Sequence, residues 1–213
     1  MNLNKYLRNK DLQDLKFDSV YTEQPISDIV QINWKNILDP PPSNDSTLAY
    51  KELVFVAKKT LNRSQRDVEF VHKIDQDIDS QFIDLLKEYK IEYPTKIIDE
   101  MYAIIKPILM NVKNLYNRAR PSQLAKFFGI EIDTIITDTI HTASYPSGHT
   151  VYASMVSSII QEMIPLIPKQ KLNDLVDQTA LARILQGVHY PSDNAASIKF
   201  TNILFKHLYP KLI

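Results

Sequence analysis

The chain has 213 residues, enough for one domain of ordinary size with a buried core. Basic and acidic residues balance at 25 each, so no overall field draws it toward nucleic acid or an anionic membrane, and any anion site must be local. Cysteine is absent, which excludes disulfides, thiolate zinc sites and a cysteine nucleophile.

From the N-terminus, MNLNKYLRNKDLQDLKF is polar and has no apolar run of the kind a secretory leader needs. Pro40, Pro41 and Pro42 form a stiff extended element. It divides an N-terminal arm, residues 1–45, from a single helical domain, residues 46–213. Ser46 predicts the cap of a helix running to about Thr60, with Leu48, Leu53, Val54 and Val56 as its apolar contacts. A second helix follows Ser64, with Val68, Val71 and Ile74 on one side, and Ser80 opens a third carrying Phe82, Leu85 and Leu86. The apolar pattern from Thr95 to Tyr116 is long and contains Pro107, which is expected to kink or split it. Pro121 suits the first turn of a short helix to Phe128, and Gly129 suits its stop.

Residues 130–146 hold the one β-favouring stretch, IEIDTIITDTI, read as a loop or short extended segment. Further helices are predicted over 147–164, over 169–187 closed by Gly187, and over 191–208 opened by Pro191. The fold class is therefore all-α, a compact helical bundle. The most apolar window, 155–168, is broken by Gln161, Glu162 and Pro165 and is too short to span a bilayer. The expectation is a soluble protein, cytoplasmic for want of a leader. Two signals carry nothing. DQDIDSQFID, 75–84, starts like a calcium loop but has Ser80 in place of the turn glycine and Leu86 in place of the bidentate glutamate. The sequons at Asn44 and Asn62 mean little without a secretory route.

Three segments carry the chemistry. In a chain with only three glycines, Pro146-Ser147-Gly148-His149 opens a helix, either as a plain helix start or as an anion seat with an acid beside it. KNLYNRARP, 113–121, puts Lys113 and Arg120 about two helical turns apart on one face, with Arg118 elsewhere; a solvated basic helix end is the bland alternative. In LARILQGVHYPSD, 181–193, Arg183 lies among Leu181, Ile184, Leu185 and Val188, where a guanidinium is expensive to bury without an anion. His189 and Asp193 follow; the carboxylate can orient the imidazole and leave one nitrogen free, or each can be an ordinary loop histidine and first-turn acid. Together the segments supply three cations, helix N-terminal amides, a nucleophile and an acid, which phosphoryl transfer requires.

Lys-x6-Arg-Pro, Pro-Ser-Gly-His and Arg-x5-His-x3-Asp, in that order, resemble the signature of the type 2 phosphatidic acid phosphatase / vanadium haloperoxidase superfamily. SYPSGHT and DPPPSNDS are most similar to the soluble bacterial class A acid phosphatases. The resemblance is sharp over 113–193 and weak before residue 95. It implies that Lys113, Arg120 and Arg183 hold the phosphate oxygens, with hydrogen bonds from Ser147 and the Gly148 amide. His189 would attack phosphorus, oriented by Asp193, and His149 would protonate the leaving alkoxide. The activity implied is a metal-independent phosphomonoesterase with no cofactor, acting on a phosphorylated small molecule or lipid, with no nucleic-acid partner. The family often forms homo-oligomers.

A vanadate-dependent haloperoxidase would use the same site, with His189 as vanadate ligand and vanadate as its cofactor, but that branch has much longer chains. A non-catalytic phosphate- or lipid-binding module has no need of His189, Asp193 and His149. One departure is visible. Ala182 stands where the third motif usually has serine, so a hydroxyl that could support the anion site is missing. The segment that shapes the leaving-group pocket carries Phe127, Phe128, His141 and Tyr145.

Overall fold

Capping chemistry decides where the helices begin. In the computed structural model, which describes residues 33–212, Ser46 Oγ accepts from the Ala49 amide at 3.1 Å and opens α2, Thr47–Leu61. Ser64 and Asp67 cap each other reciprocally at the start of α3, Gln65–Gln76. Asp77 accepts from the Ser80 amide at 3.0 Å in the first turn of α4, Asp79–Glu88. Proline occupies the first position of both α6, Pro121–Phe128, and α9, Pro191–Leu208. Before these lies the short α1, Trp34–Ile37. The long α5 spans Thr95–Tyr116, α7 spans Gly148–Met163 and α8 spans Lys169–Leu185. Short 3-10 turns lie at Asp138–Ile140 and Tyr209–Lys211. Among the described residues there is no strand. The segment 130–146 is loop around the first of these turns.

Helix α7 sits in the middle. Val151, Ala153, Met155, Val156, Ile159 and Ile160 are fully buried, so it is apolar around most of its girth. It packs chiefly on α8 and α9, and also on α5. Met101, Ile105, Leu109 and Val112 of α5 and Phe200 and Leu204 of α9 complete this core. A second cluster joins Leu53 and Val56 of α2 to Leu124 and Phe128 of α6 and to Ile184 and Tyr190. A third packs Val71 and Ile74 of α3 against Ala182 and Leu185 of α8. Each large apolar side chain so buried contributes about 1.5–3 kcal/mol. The long loop 129–147, the short α8–α9 connection and the N-termini of α6, α7 and α9 are thereby brought to one end of α7, where the site forms.

Several expectations change. Leu48 and Val54 are exposed, because α2 buries the face of Ala49, Leu53 and Val56 and turns Glu52 inward with it. Pro107 does not split α5, which runs as one helix through it. Of the proposed N-terminal arm, residues 1–32 lie outside the described residues. Trp34 and Leu38 pack in the main core, with the Trp34 ring 4.7 Å from Phe200 and Tyr116 Oη donating to the Leu38 carbonyl at 2.7 Å. Gly187 closes α8 with φ +82°, and a Cβ there would meet Ile132 Cγ2 at 3.0 Å and Thr60 Cγ2 at 3.1 Å. Both backbone and space require glycine at this position.

Candidate active site

Lys113 and Arg120 meet by a turn rather than by sharing a helix face. Asn117 takes the left-handed conformation and ends α5, and Arg120 then caps α6. Lys113 Nζ donates to the Ala143 carbonyl at 2.6 Å, and Arg120 Nε donates to the Thr142 carbonyl at 2.9 Å. Both cations therefore grip the loop that leads into Pro146-Ser147-Gly148-His149. Arg183 comes from the last turn of α8, His189 from the α8–α9 connection and Asp193 from the first turn of α9. The side chains of Lys113, Arg120, Arg183, His189 and Asp193 are all buried. Ser147 is buried too, yet its hydroxyl does not cap α7. It accepts instead from Thr150 Oγ1 at 3.1 Å. Gly148 and His149 occupy the first turn of α7, where amides point out of the helix.

His189 Nδ1 lies 3.2 Å from Asp193 Oδ2, and its Nε2 lies 3.4 Å from Arg120 Nη1. A proton on Nδ1, shared with Asp193, leaves the Nε2 lone pair on the side of the cations. Asp193 is held from every direction. Its Oδ2 also accepts from Ser144 Oγ at 2.5 Å and from the Tyr190 amide at 3.0 Å, so the same carboxylate caps α9. Its Oδ1 accepts from Arg118 Nη1 at 2.6 Å. Arg118 continues to Glu52 Oε2 at 3.0 Å and stacks over the Tyr190 ring at 3.9 Å. Glu52 in turn accepts from the Ser192 amide at 2.6 Å. A buried chain of charge, Glu52–Arg118–Asp193–His189, thus runs from α2 to the imidazole.

Three buried cations side by side raise each other's energy. Burial first, then Arg120 and Arg183, pulls the Lys113 ammonium well below its ordinary range, against the opposing pull of Asp193. Arg120 is lowered to about 9 by burial and by Arg183. His189 is pushed well below the ordinary histidine value by burial and by Arg120, Lys113, Arg183 and His149, all of which favour its neutral form. His149 is lowered by burial and by Arg183, and Asp75 acts in the opposite sense. An anion placed among these groups relieves all of the repulsions together.

On the other side of Arg183 lies Asp75, from the end of α3. Its Oδ1 accepts from Arg183 Nη1 and from Thr139 Oγ1, the latter at 2.7 Å, and lies 3.4 Å from His149 Nε2. Arg183 Nη2 is taken by Thr139 Oγ1 at 3.2 Å, while its Nε is buried without a partner. A cleft of about 590 Å³ opens here, lined by Lys113, Gly148 and His149 together with Tyr102, Leu109 and Tyr152. Of the four residues noted in the segment between the first two motifs, only His141 lines it. Phe127 and Phe128 pack in the second apolar cluster and Tyr145 in the main core. Ala182 faces Val71, Ile74 and Leu185, so the serine usual at this position would sit here in an apolar cluster.

The profile of the PAP2 superfamily matches residues 101–210, more than half of the chain. The chain belongs to the PAP2 superfamily. Membership implies phosphatase activity, and the matched span contains all three motifs. The helical architecture is that of this superfamily too. The crystal structure of a transmembrane PAP2 type phosphatidylglycerolphosphate phosphatase from Bacillus subtilis superposes with a TM-score of 0.51 at 14% sequence identity. The superposition covers 78% of this chain and 87% of that one. No curated protein sequence matches. Among the described residues of this PAP2 chain, no helix is long and apolar enough to cross a membrane, and no cluster of histidine and carboxylate side chains has the makings of a metal site.

Five residues of the site were not read from the sequence: Glu52, Asp75, Arg118, Thr139 and Ser144. Arg118 had a usable signal, a second arginine inside the first motif. Asp75 lay inside the stretch dismissed as a calcium loop. Glu52, Thr139 and Ser144 are ordinary polar residues whose role comes only from long-range packing.

Proposed function

We propose that the chain is a metal-independent phosphomonoesterase that works through a phosphohistidine on His189. The observation that carries this reading is the pairing of His189 Nδ1 with Asp193 while Nε2 faces buried Arg120. A buried histidine oriented by a carboxylate and faced by a cation is the arrangement that nucleophilic attack on phosphorus calls for. Lys113, Arg120, Arg183, Ser147 and the Gly148 amide take the non-bridging oxygens. His189 Nε2 forms the bond to phosphorus as the ester P–O bond breaks, and His149 gives its proton to the departing oxygen. In the second half, His149 takes a proton from water, the water oxygen attacks phosphorus, and the P–N bond breaks to release inorganic phosphate. Lys113, Arg120 and Arg183 supply the positive charge that a metal supplies elsewhere.

The substrate is a phosphorylated small molecule or a lipid phosphate. The cleft beside His149 has apolar walls at Leu109, Tyr102 and Tyr152, which suit a leaving alcohol with carbon surface. The test is hydrolysis of p-nitrophenyl phosphate at pH 5 to 7 with EDTA present, with and without orthovanadate. Turnover in EDTA that vanadate blocks is expected. No turnover by folded protein contradicts the reading, and peroxidase activity appearing only with vanadate replaces it with the haloperoxidase one. A soluble enzyme is part of the proposal: the full chain is expected in the aqueous layer on detergent phase separation, and recovery with the detergent contradicts this.

A further inference from the structure

We propose that Asp75 is a positioning residue, whose Oδ1 fixes the imidazole of His149 and the guanidinium of Arg183 so that His149 presents its proton to the departing oxygen. This rests on the phosphomonoesterase reading above and goes beyond the three motifs, none of which contains Asp75. Two donors, Arg183 Nη1 and Thr139 Oγ1, converge on this single oxygen, and His149 Nε2 lies 3.4 Å from it and 3.4 Å from Arg183 Nη1. The side chain of Asp75 is only 8% exposed and is delivered by α3, which packs on α8. With Nε2 so engaged, Nδ1 is the ring nitrogen left to carry a proton to the leaving group. The arrangement repeats the His189–Asp193 pair on the other side of the site. One histidine–carboxylate pair serves the attacking nitrogen and the other serves the leaving oxygen.

The alternatives are an ion pair that only neutralises Arg183, or a carboxylate that competes with phosphate for it. The charged groups around His149 distinguish them. Arg183 from α8 opposes a proton on the ring, and His189 lies within electrostatic reach across the site. Lys106 and Lys113 from α5, Asp77 and Asp79 from the junction of α3 and α4, and Asp138 and His141 from the loop line the same cleft. Of these groups only Asp75 lies within hydrogen-bond or ion-pair range of the ring and carries negative charge. Thr139 and Asp75 together occupy both terminal nitrogens of Arg183 and leave its buried Nε for a phosphate oxygen. Substrate and Asp75 can therefore be held by Arg183 at the same time, as a positioning role requires.

The test compares two esters in the full-length enzyme. Nitrophenolate departs without an acid, whereas the alkoxide of glycerol 2-phosphate needs one. General acid catalysis contributes about 10²–10⁴-fold, so Asp75→Asn is expected to lower kcat/KM, which reports transfer to His189 and not the later hydrolysis, for the alkyl ester at least ~10-fold more than for p-nitrophenyl phosphate. The alkaline limb of the alkyl-ester profile is expected to move to lower pH, because the negative partner of the acid is gone. Asp75→Glu, which keeps the charge, is expected to recover part of the alkyl-ester rate; if Asp75→Asn does not fold, the ester ratio of Asp75→Glu against wild type is read instead. Equal losses on both esters with an unmoved limb would reduce Asp75 to an ion-pair partner and overturn the proposal. Tighter inhibition by inorganic phosphate with an unchanged ester ratio would make it a competitor and overturn it equally. His149→Ala is the control. If its kcat/KM does not discriminate between the esters, the assignment of the acid fails and this proposal falls with it. If it discriminates and the Asp75 variants do not, Asp75 alone is wrong.

Discussion

Arg118→Met removes the cation at the centre of the buried charge chain while roughly keeping its volume. Its side chain is 2% exposed, between Glu52 at 8% and Asp193 at 0%. Without the guanidinium, two carboxylates lose their shared partner, and the Tyr190 ring loses the cation stacked on it. Breaking a buried ion pair by deleting one member costs about 3–5 kcal/mol. For a chain of this size each kcal/mol lowers Tm by about 2–4 °C, so a fall of about 6–20 °C is expected. Glu52 retains Ser192 as donor and Asp193 retains Ser144 and the Tyr190 amide, which favours the lower half of that range. Pairing the change with Glu52→Gln should restore part of the loss, because one of the orphaned charges then disappears. Thermal unfolding of the single and double variants by circular dichroism measures both. Arg118→Met within about 2 °C of wild type, or a double variant no better than the sum of the singles, would refute the reasoning.

Further outcomes follow from the same geometry. The profile of kcat/KM for an alkyl phosphate should be bell-shaped and centred on the acidic side. His149 must be protonated, burial and Arg183 lower it from the ordinary 6.5, and rate therefore falls as pH rises through that lowered value. The acid limb comes from protonation of His189, which lies lower still; a flat profile from pH 4 to 9 contradicts both assignments. Inorganic phosphate at 100 times its Kd should stabilise the fold by about 2.7 kcal/mol, read as a rise in Tm, and Arg120→Ala should shrink the rise. No rise at any phosphate concentration would contradict the anion seat. Gly187→Ala should cost about 1–3 kcal/mol from backbone conformation and overpacking against Ile132 and Thr60; urea unfolding reads it, and a neutral result would mean the α8–α9 connection relaxes easily.

Much of the site was legible because its chemistry is local. Pro-Ser-Gly-His and His-x3-Asp each span five residues or fewer across a helix start, so spacing alone brings their groups together. The helix starts at Ser46, Ser64, Pro121 and Pro191 were equally readable, since caps act over a few residues. Lys113 and Arg120 were placed on one helix face by their spacing, whereas they meet through the turn at Asn117. A left-handed asparagine is not signalled by hydrophobic periodicity. Leu48 and Val54 were misplaced for a related reason. Glu52 takes an inward position on α2, and that exchange of a leucine for a carboxylate makes sense only once Arg118 stands behind it. Asp75 was hidden by distance, since 108 residues separate it from Arg183 and nothing local announces their contact.

The central claim is the phosphohistidine on His189. In His149→Ala, nitrophenolate still departs unaided, but no base remains to activate the water that clears the enzyme. Quenching this variant with alkali after mixing with ³²P-labelled p-nitrophenyl phosphate should trap a base-stable, acid-labile label on the protein, close to one per site. The same label should be absent from His149→Ala combined with His189→Ala, in a protein with unchanged circular dichroism. Label that survives loss of His189 places the nucleophile elsewhere, and release of phosphate with no labelled protein at any time contradicts a covalent intermediate.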